Sequence, residues 1–203
     1  ISCLAIAGMP FFAGFFSKDE IFWWTFASSR GSIGVWIIGS IAACMTAFYM
    51  FRCLYMTFHG EQKTDARAKD HVHESPWVIT LPLVVLAALA TVGGFVGIPH
   101  AIDVFHVGNK LDEFLAPVFH HAQETYAISA HGSASTEIAL MVLSVIIGLT
   151  GIGIATVMYM KRPDLPARFT ARFSKLHRWV YNKYYVDELY EKIFVDGIKW
   201  LMM

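Results

Sequence analysis

The chain has 203 residues, of which 56% are hydrophobic, 15% aromatic and only 16% charged. A soluble domain of this length carries about 25% charged residues, so the deficit points to a chain embedded in a membrane. Formal net charge is zero, which excludes bulk electrostatic attraction to nucleic acid.

The first segment, residues 1–27, is apolar except at one place. "GFFSKDEIF" puts Lys18, Asp19 and Glu20 side by side after an interruption at Gly8-Met9-Pro10. Lys18 lies 12 residues before Arg30, about 18 Å along a helix, while half a hydrocarbon core is about 15 Å. A lysine at the midplane costs at least about 2.5–3.5 kcal/mol unless water or a partner compensates. A low dielectric disfavours the charged forms of amine and carboxyl alike, which suits such groups to exchanging protons. Neighbours on a helix point about 100° apart, so Lys18 and Asp19 are placed to face two successive partners. Gly14, Phe15, Phe22 and Thr25 share the Lys18 face, and Gly14 is expected to leave room beside the lysine stem. A second reading stands beside the buried site. Ser17-x-x-Glu20 fits a capping box ahead of the apolar run 21–27, which would make the triplet a wet helix start. The readings overlap, because a helix broken in mid-membrane needs its freed backbone groups satisfied, and Gly8, Pro10 and Gly14 supply a break.

Three long uncharged runs follow, at residues 33–51, 77–101 and 138–160. Each reaches 19 residues, enough to cross about 30 Å at about 1.5 Å per residue. They predict transmembrane helices at about 33–55, 77–101 and 138–160, the second kinked by Pro82 and Gly93-Gly94. Arg52, Lys63, Arg67 and Lys69 follow the first run, and a basic stretch from Lys161 to Lys183 follows the third. The intervening loop at 102–136 carries only Lys110. The excess of cations places residues 52–76 and the C-terminal region on the cytoplasmic side and the 102–136 loop outside.

The tail changes character from Ala167. Val186, Leu189, Tyr190, Ile193, Phe194, Ile198 and Leu201 recur at spacings of three to five with acids and lysines between them. That is an amphipathic helix, suited to a membrane surface, to the flank of a partner or to its own domain. The organisation is therefore a discontinuous charged helix (1–30), three spans (31–160), and a cytoplasmic-side linker with an amphipathic helix (161–203).

Other motifs are weaker. Cys3, Cys44 and Cys53 lack metal-ligand spacing and sit in apolar stretches as small hydrophobes. His71-x-His73-Glu74 has no second ligand cluster, so no metal site is expected. His100, His106, His120, His121 and His131 read as loop histidines, with pH sensing the alternative. No phosphate loop, nucleophile elbow or haem-attachment sequence occurs.

"GMPFFAGFFSKDEIFWW", "TAFYMFRCLYMTFHG", "HESPW" and "YYVDELYEKIF" together resemble the subunit L family of bacterial NADH–quinone oxidoreductase, respiratory complex I, across essentially the whole chain. The first motif is shared with the wider antiporter-like family, including Mrp-type cation/proton antiporter subunits. "FRCLYMTFHG" and "YYVDELYEKIF" are more particular to complex I. The resemblance implies an all-α integral membrane protein: part of an antiporter-like bundle with a discontinuous helix and the start of a lateral amphipathic helix. It implies proton translocation through Lys18, with Asp19 toward the outer exit and Ser17 and Glu20 in supporting or capping roles. NADH, FMN, iron–sulfur clusters and quinone would belong to partner subunits, with no cofactor in this chain. The partners implied are neighbouring antiporter-like subunits and the lipid bilayer, in a bacterial inner membrane. The chain would be a C-terminal fragment. An Mrp-type antiporter subunit and a structural subunit that clamps its neighbours are the alternatives.

Overall fold

A computed structural model of the chain describes residues 1–60, 74–98, 110–126 and 133–201. Residues 61–73, 99–109 and 127–132 lie outside that description. So do His71, His73, His100, His106 and His131, the C-terminal end of the expected 77–101 helix, and the side chains of His120 and His121.

Every described element is helical. Residues 1–160 form one compact unit. It opens with a short helix α1 (Ser2–Ala7), then α2 (Ala13–Ala27) and α3 (Ile33–Phe58). Next come α4 (Trp77–Val92), extended by a tight turn at Gly93–Val96, then α5 (Lys110–Tyr126) and α6 (Ala134–Thr156). α6 runs on through a π-helical turn, Val157–Lys161. Among the described residues three helices are long and apolar enough to cross a membrane: Ile33–Phe58, Trp77–Val96 and Ala134–Lys161. Each overlaps one of the three uncharged runs. Pro82 lies inside α4.

The core sits where α1, α3 and α6 meet, and small residues make it. Ala47 of α3 and Ala155 of α6 are fully buried, beside Ala7 and Phe51. A Cβ on Gly151 would stand 2.3 Å from the Cys44 carbonyl oxygen, so the two backbones approach at van der Waals distance. In a membrane the hydrophobic effect cannot drive helices together, and close backbone packing through small residues takes its place. At one end of this seam the Tyr55 hydroxyl bonds Thr156 Oγ1 at 2.9 Å, and the Arg52 guanidinium lies over the Tyr159 ring at 5.6 Å. A second cluster joins Phe15 and Phe16 of α2 to Met141 and Val145 of α6.

Helix α5 replaces part of what was expected to be a loop at 102–136. Leu111, Phe114, Leu115, Val118 and Phe119 fall at helical spacing along it, a periodicity that the polar content of the segment conceals.

The second unit, residues 161–203, is a chain of short helices: α7 (Leu165–Arg172), α8 (Ser174–Tyr181), α9 (Val186–Tyr190) and α10 (Asp196–Leu201). A π-helical turn, Glu191–Val195, joins α9 to α10. Between α8 and α9, Lys183, Tyr184 and Tyr185 all adopt left-handed φ values of 51°, 59° and 57°. Each such residue costs roughly 1–2 kcal/mol. A local frame holds them: Asn182 Nδ2 donates to the Tyr185 hydroxyl at 2.7 Å, and Trp179 meets Tyr184 edge-to-face at 5.0 Å.

Candidate functional site

The site is built where the chain breaks. α1 ends at Gly8 in the left-handed region, φ 79°, a conformation that glycine adopts without strain. The Gly8 N–H bonds Ala5 O and the Met9 N–H bonds Leu4 O, each at 3.1 Å. Pro10 then forbids continuation, Phe11 is left-handed at φ 72°, and Phe12 caps α2 in extended conformation.

The last carbonyls of a helix lack intrahelical donors. Lys18, one and a half turns into α2, reaches back and donates from Nζ to the Ile6 carbonyl of α1. A cation at a helix C-terminus is also favoured by the helix dipole. The lysine is half-buried.

Asp19 packs against α6. It is 5% exposed, and its Oδ1 accepts a hydrogen bond from Ser144 Oγ of α6, 125 positions along the chain. Its Oδ2 has no hydrogen-bond partner among the described residues. Two small cavities, each about 10 Å³, flank it. One is lined by Ala7, Gly8, Lys18, Asp19, Ser144 and Gly148, among others. The other is lined by Asp19, Glu20, Trp23, Glu137, Leu140 and Met141, with Phe22 common to both. Each has room for a single water-sized sphere. Among the described residues no cluster of three His, Cys, Asp or Glu side chains could hold a metal ion.

Three expectations need correction. Ser17 and Glu20 do not form a capping box, because α2 begins four residues before Ser17. Ser17 Oγ instead donates back to Gly14 O at 3.4 Å, and Glu20 Oε1 accepts from Trp24 Nε1 at 2.7 Å, one turn on. Gly14 does not lie in the break, being the second residue of α2. Nor is it the glycine that makes room for the lysine. A Cβ there would meet Ala5 O at 2.0 Å, so Gly14 lets α2 touch the backbone of α1. The lysine stem lies against Gly8 instead, where an added Cβ would be 3.3 Å from Lys18 Cδ. Nothing in the sequence singles out Ser144. A serine in an apolar run is no signal until the fold sets it against α2.

A family model for the C-terminus of the F subunit of complex I NADH dehydrogenase, with its transmembrane segments, matches residues 45–203. Curated relatives extend the similarity over the site. The NAD(P)H-quinone oxidoreductase chain 5 of Picosynechococcus sp. is 36% identical over 220 residues, covering 99% of this chain and 31% of the relative. The NADH-quinone oxidoreductase subunit L of Neisseria meningitidis serogroup B is 32% identical, covering 99% of this chain and 32% of the relative. Subunit L of Escherichia coli K12 is also 32% identical, covering 98% and 29%. The chain thus spans about a third of the length of the curated relatives it matches. It belongs to the subunit L and chain 5 family of complex I, whose C-terminal part it represents.

Proposed function

We propose that the full-length protein is a proton-translocating membrane subunit of an NADH–quinone oxidoreductase, and that this chain carries the outward half of its proton path. α1 and α2 are then the two parts of one discontinuous transmembrane helix in an antiporter-like bundle. Lys18 receives a proton from the side of the bundle that this chain does not contain. It hands the proton to Asp19, which releases it toward the outer surface. The carrying observation is the pair itself: adjacent residues past a helix break, Lys18 on the end of α1 and Asp19 buried against α6.

The redox groups, NADH, FMN, iron–sulfur clusters and quinone, sit in partner subunits, and this chain contributes proton transfer alone. The names of the relatives favour redox-coupled translocation over an Mrp-type exchanger. The amphipathic tail begins a lateral helix along neighbouring antiporter-like subunits, and the complex resides in the bacterial inner membrane.

The test is Lys18→Ala in the full-length protein within the assembled complex. Loss of proton pumping in sealed vesicles, with assembly on native gels unchanged, is the expected result. Pumping at the wild-type rate would sink the lysine relay. A purely structural subunit would show the reverse, with pumping intact in Lys18→Ala and assembly lost on truncation within 186–201.

A further inference from the structure

We propose that Ser144 is a positioning residue for Asp19, one that holds the carboxyl in a single orientation in both of its protonation states. This deepens the proton-path reading above and rests on it.

The Ser144 hydroxyl has one proton and two acceptors within its reach. One is Asp19 Oδ1; the other is the carbonyl oxygen of Met141, one turn back on α6, at 3.0 Å. A hydroxyl offers one donor and two lone pairs, and its proton rotates to suit. When Asp19 is a carboxylate, Ser144 donates to it. When Asp19 carries the transferred proton on Oδ1, the carboxylic O–H donates to Ser144 Oγ, and the serine proton turns to the Met141 carbonyl. The bond between the two side chains survives with its direction reversed, and neither state strands a donor. An amide N–H or an ammonium in place of the serine could not reverse in this way, because its nitrogen only donates.

What this holding accomplishes follows from the two cavities. Asp19 lines both, and its second oxygen has no protein partner among the described residues. Anchored at Oδ1, the carboxyl keeps Oδ2 as an acceptor beside these spaces in both states. The charged side chains lining these spaces are Lys18 on one side and Glu20 and Glu137 on the other. On α6, Glu137, Met141, Ser144 and Gly148 follow at spacings of four, three and four, so they share one helical face. The face that fixes Asp19 thus continues toward the N-terminal end of α6, the end assigned to the outer side.

The experiment compares Ser144→Thr with Ser144→Val in the assembled complex. The two substitutions have the same shape and differ only in the hydroxyl, so effects of packing cancel. Pumping in sealed vesicles is expected to be at least about tenfold slower in Ser144→Val than in Ser144→Thr, the scale of loss from small misplacements of reacting groups. Assembly should be equal in the two. Equal pumping by the two variants overturns the proposal. If both fail to assemble because the site has no room, Ser144→Ala decides. A similar drop supports the assignment, and the wild-type rate removes it. Asp19→Asn run alongside separates the proton path from the role of the serine. Wild-type pumping in Asp19→Asn sinks the proton path as a whole. Loss there, with full pumping in the hydroxyl-free Ser144 variants, sinks only the role of Ser144.

Discussion

The two units of the chain differ in whether they bury any apolar side chain of their own. In residues 1–160 the helices interlock through small residues, and Ala47 and Ala155 have no exposed surface. In residues 161–201 no described side chain is buried. Phe169, Trp179, Leu189, Ile193, Phe194 and Ile198 are all about half exposed or more. The first unit keeps a small core around its site while most apolar side chains of its long helices stay exposed, whereas the second buries no described side chain of its own. Within the first unit the described contacts are close helix packings, and within the second they are local to neighbouring short helices.

The most severe way to break this contrast is to add bulk to the interlocked unit. Gly151→Leu would force a side chain into the Cys44 backbone at 2.3 Å. Overpacking costs typically about 1–3 kcal/mol and more where the obstacle is backbone. The subunit is expected to be missing from the complex on native gels; normal assembly would show that α3 and α6 do not meet as described. Next comes the tail. Leu189→Asp with Ile193→Asp should release the neighbouring subunits, since each covered side chain contributes about 1.5–3 kcal/mol. The variant chain should still be recovered in the membrane fraction, because its spans are untouched. An intact complex would argue that this face covers nothing.

Gly8→Ala is a smaller perturbation, worth about 1–2 kcal/mol for the left-handed backbone. It also presses on the lysine stem, so heat inactivation and pumping should shift together. Loss of stability with untouched pumping would separate the glycine from Lys18. Smallest of all is Asp164→Asn in the tail, which removes a 3.0 Å pair with Arg168. Both side chains are at least half exposed, so the expected loss is below about 1 kcal/mol and disappears in high salt. A larger effect would mean that the tail is less open than its exposure indicates.

Much of the architecture could be read without coordinates. Uncharged runs of 19 residues or more are long enough to cross a membrane, and three helices of that length and composition stand over them among the described residues. Gly8 and Pro10 announce the break for local reasons, left-handed φ and a missing N–H, that act over a few residues. The errors arise where local chemistry is ambiguous. Ser17-x-x-Glu20 has the letters of a capping box, yet the helix has already begun at Ala13, because Pro10 and Phe12 set its start. Gly14 and Gly8 both lie near Lys18 in sequence, and only the close contact of α2 with Ala5 tells which one frees the lysine and which one lets the helices meet. Ser144 depends on a contact across 125 positions, which no window of sequence contains. α5 is hidden by its polar residues, and the left-handed run at Lys183 to Tyr185 by residue types that disfavour that conformation.

The seam between α3 and α6 has a mechanical consequence. With Ala47 and Ala155 buried without remainder and Gly151 against the Cys44 carbonyl, the two helices meet backbone to backbone along this part of the seam. Interiors packed at this density transmit load without absorbing it. A push arriving along either long helix would pass through the seam almost undamped. Residues 8–12, the non-helical joint beside Lys18, would then be one place where this unit can yield. This tight contact would act as an anvil, and the candidate site would lie beside a joint that breaks the helix.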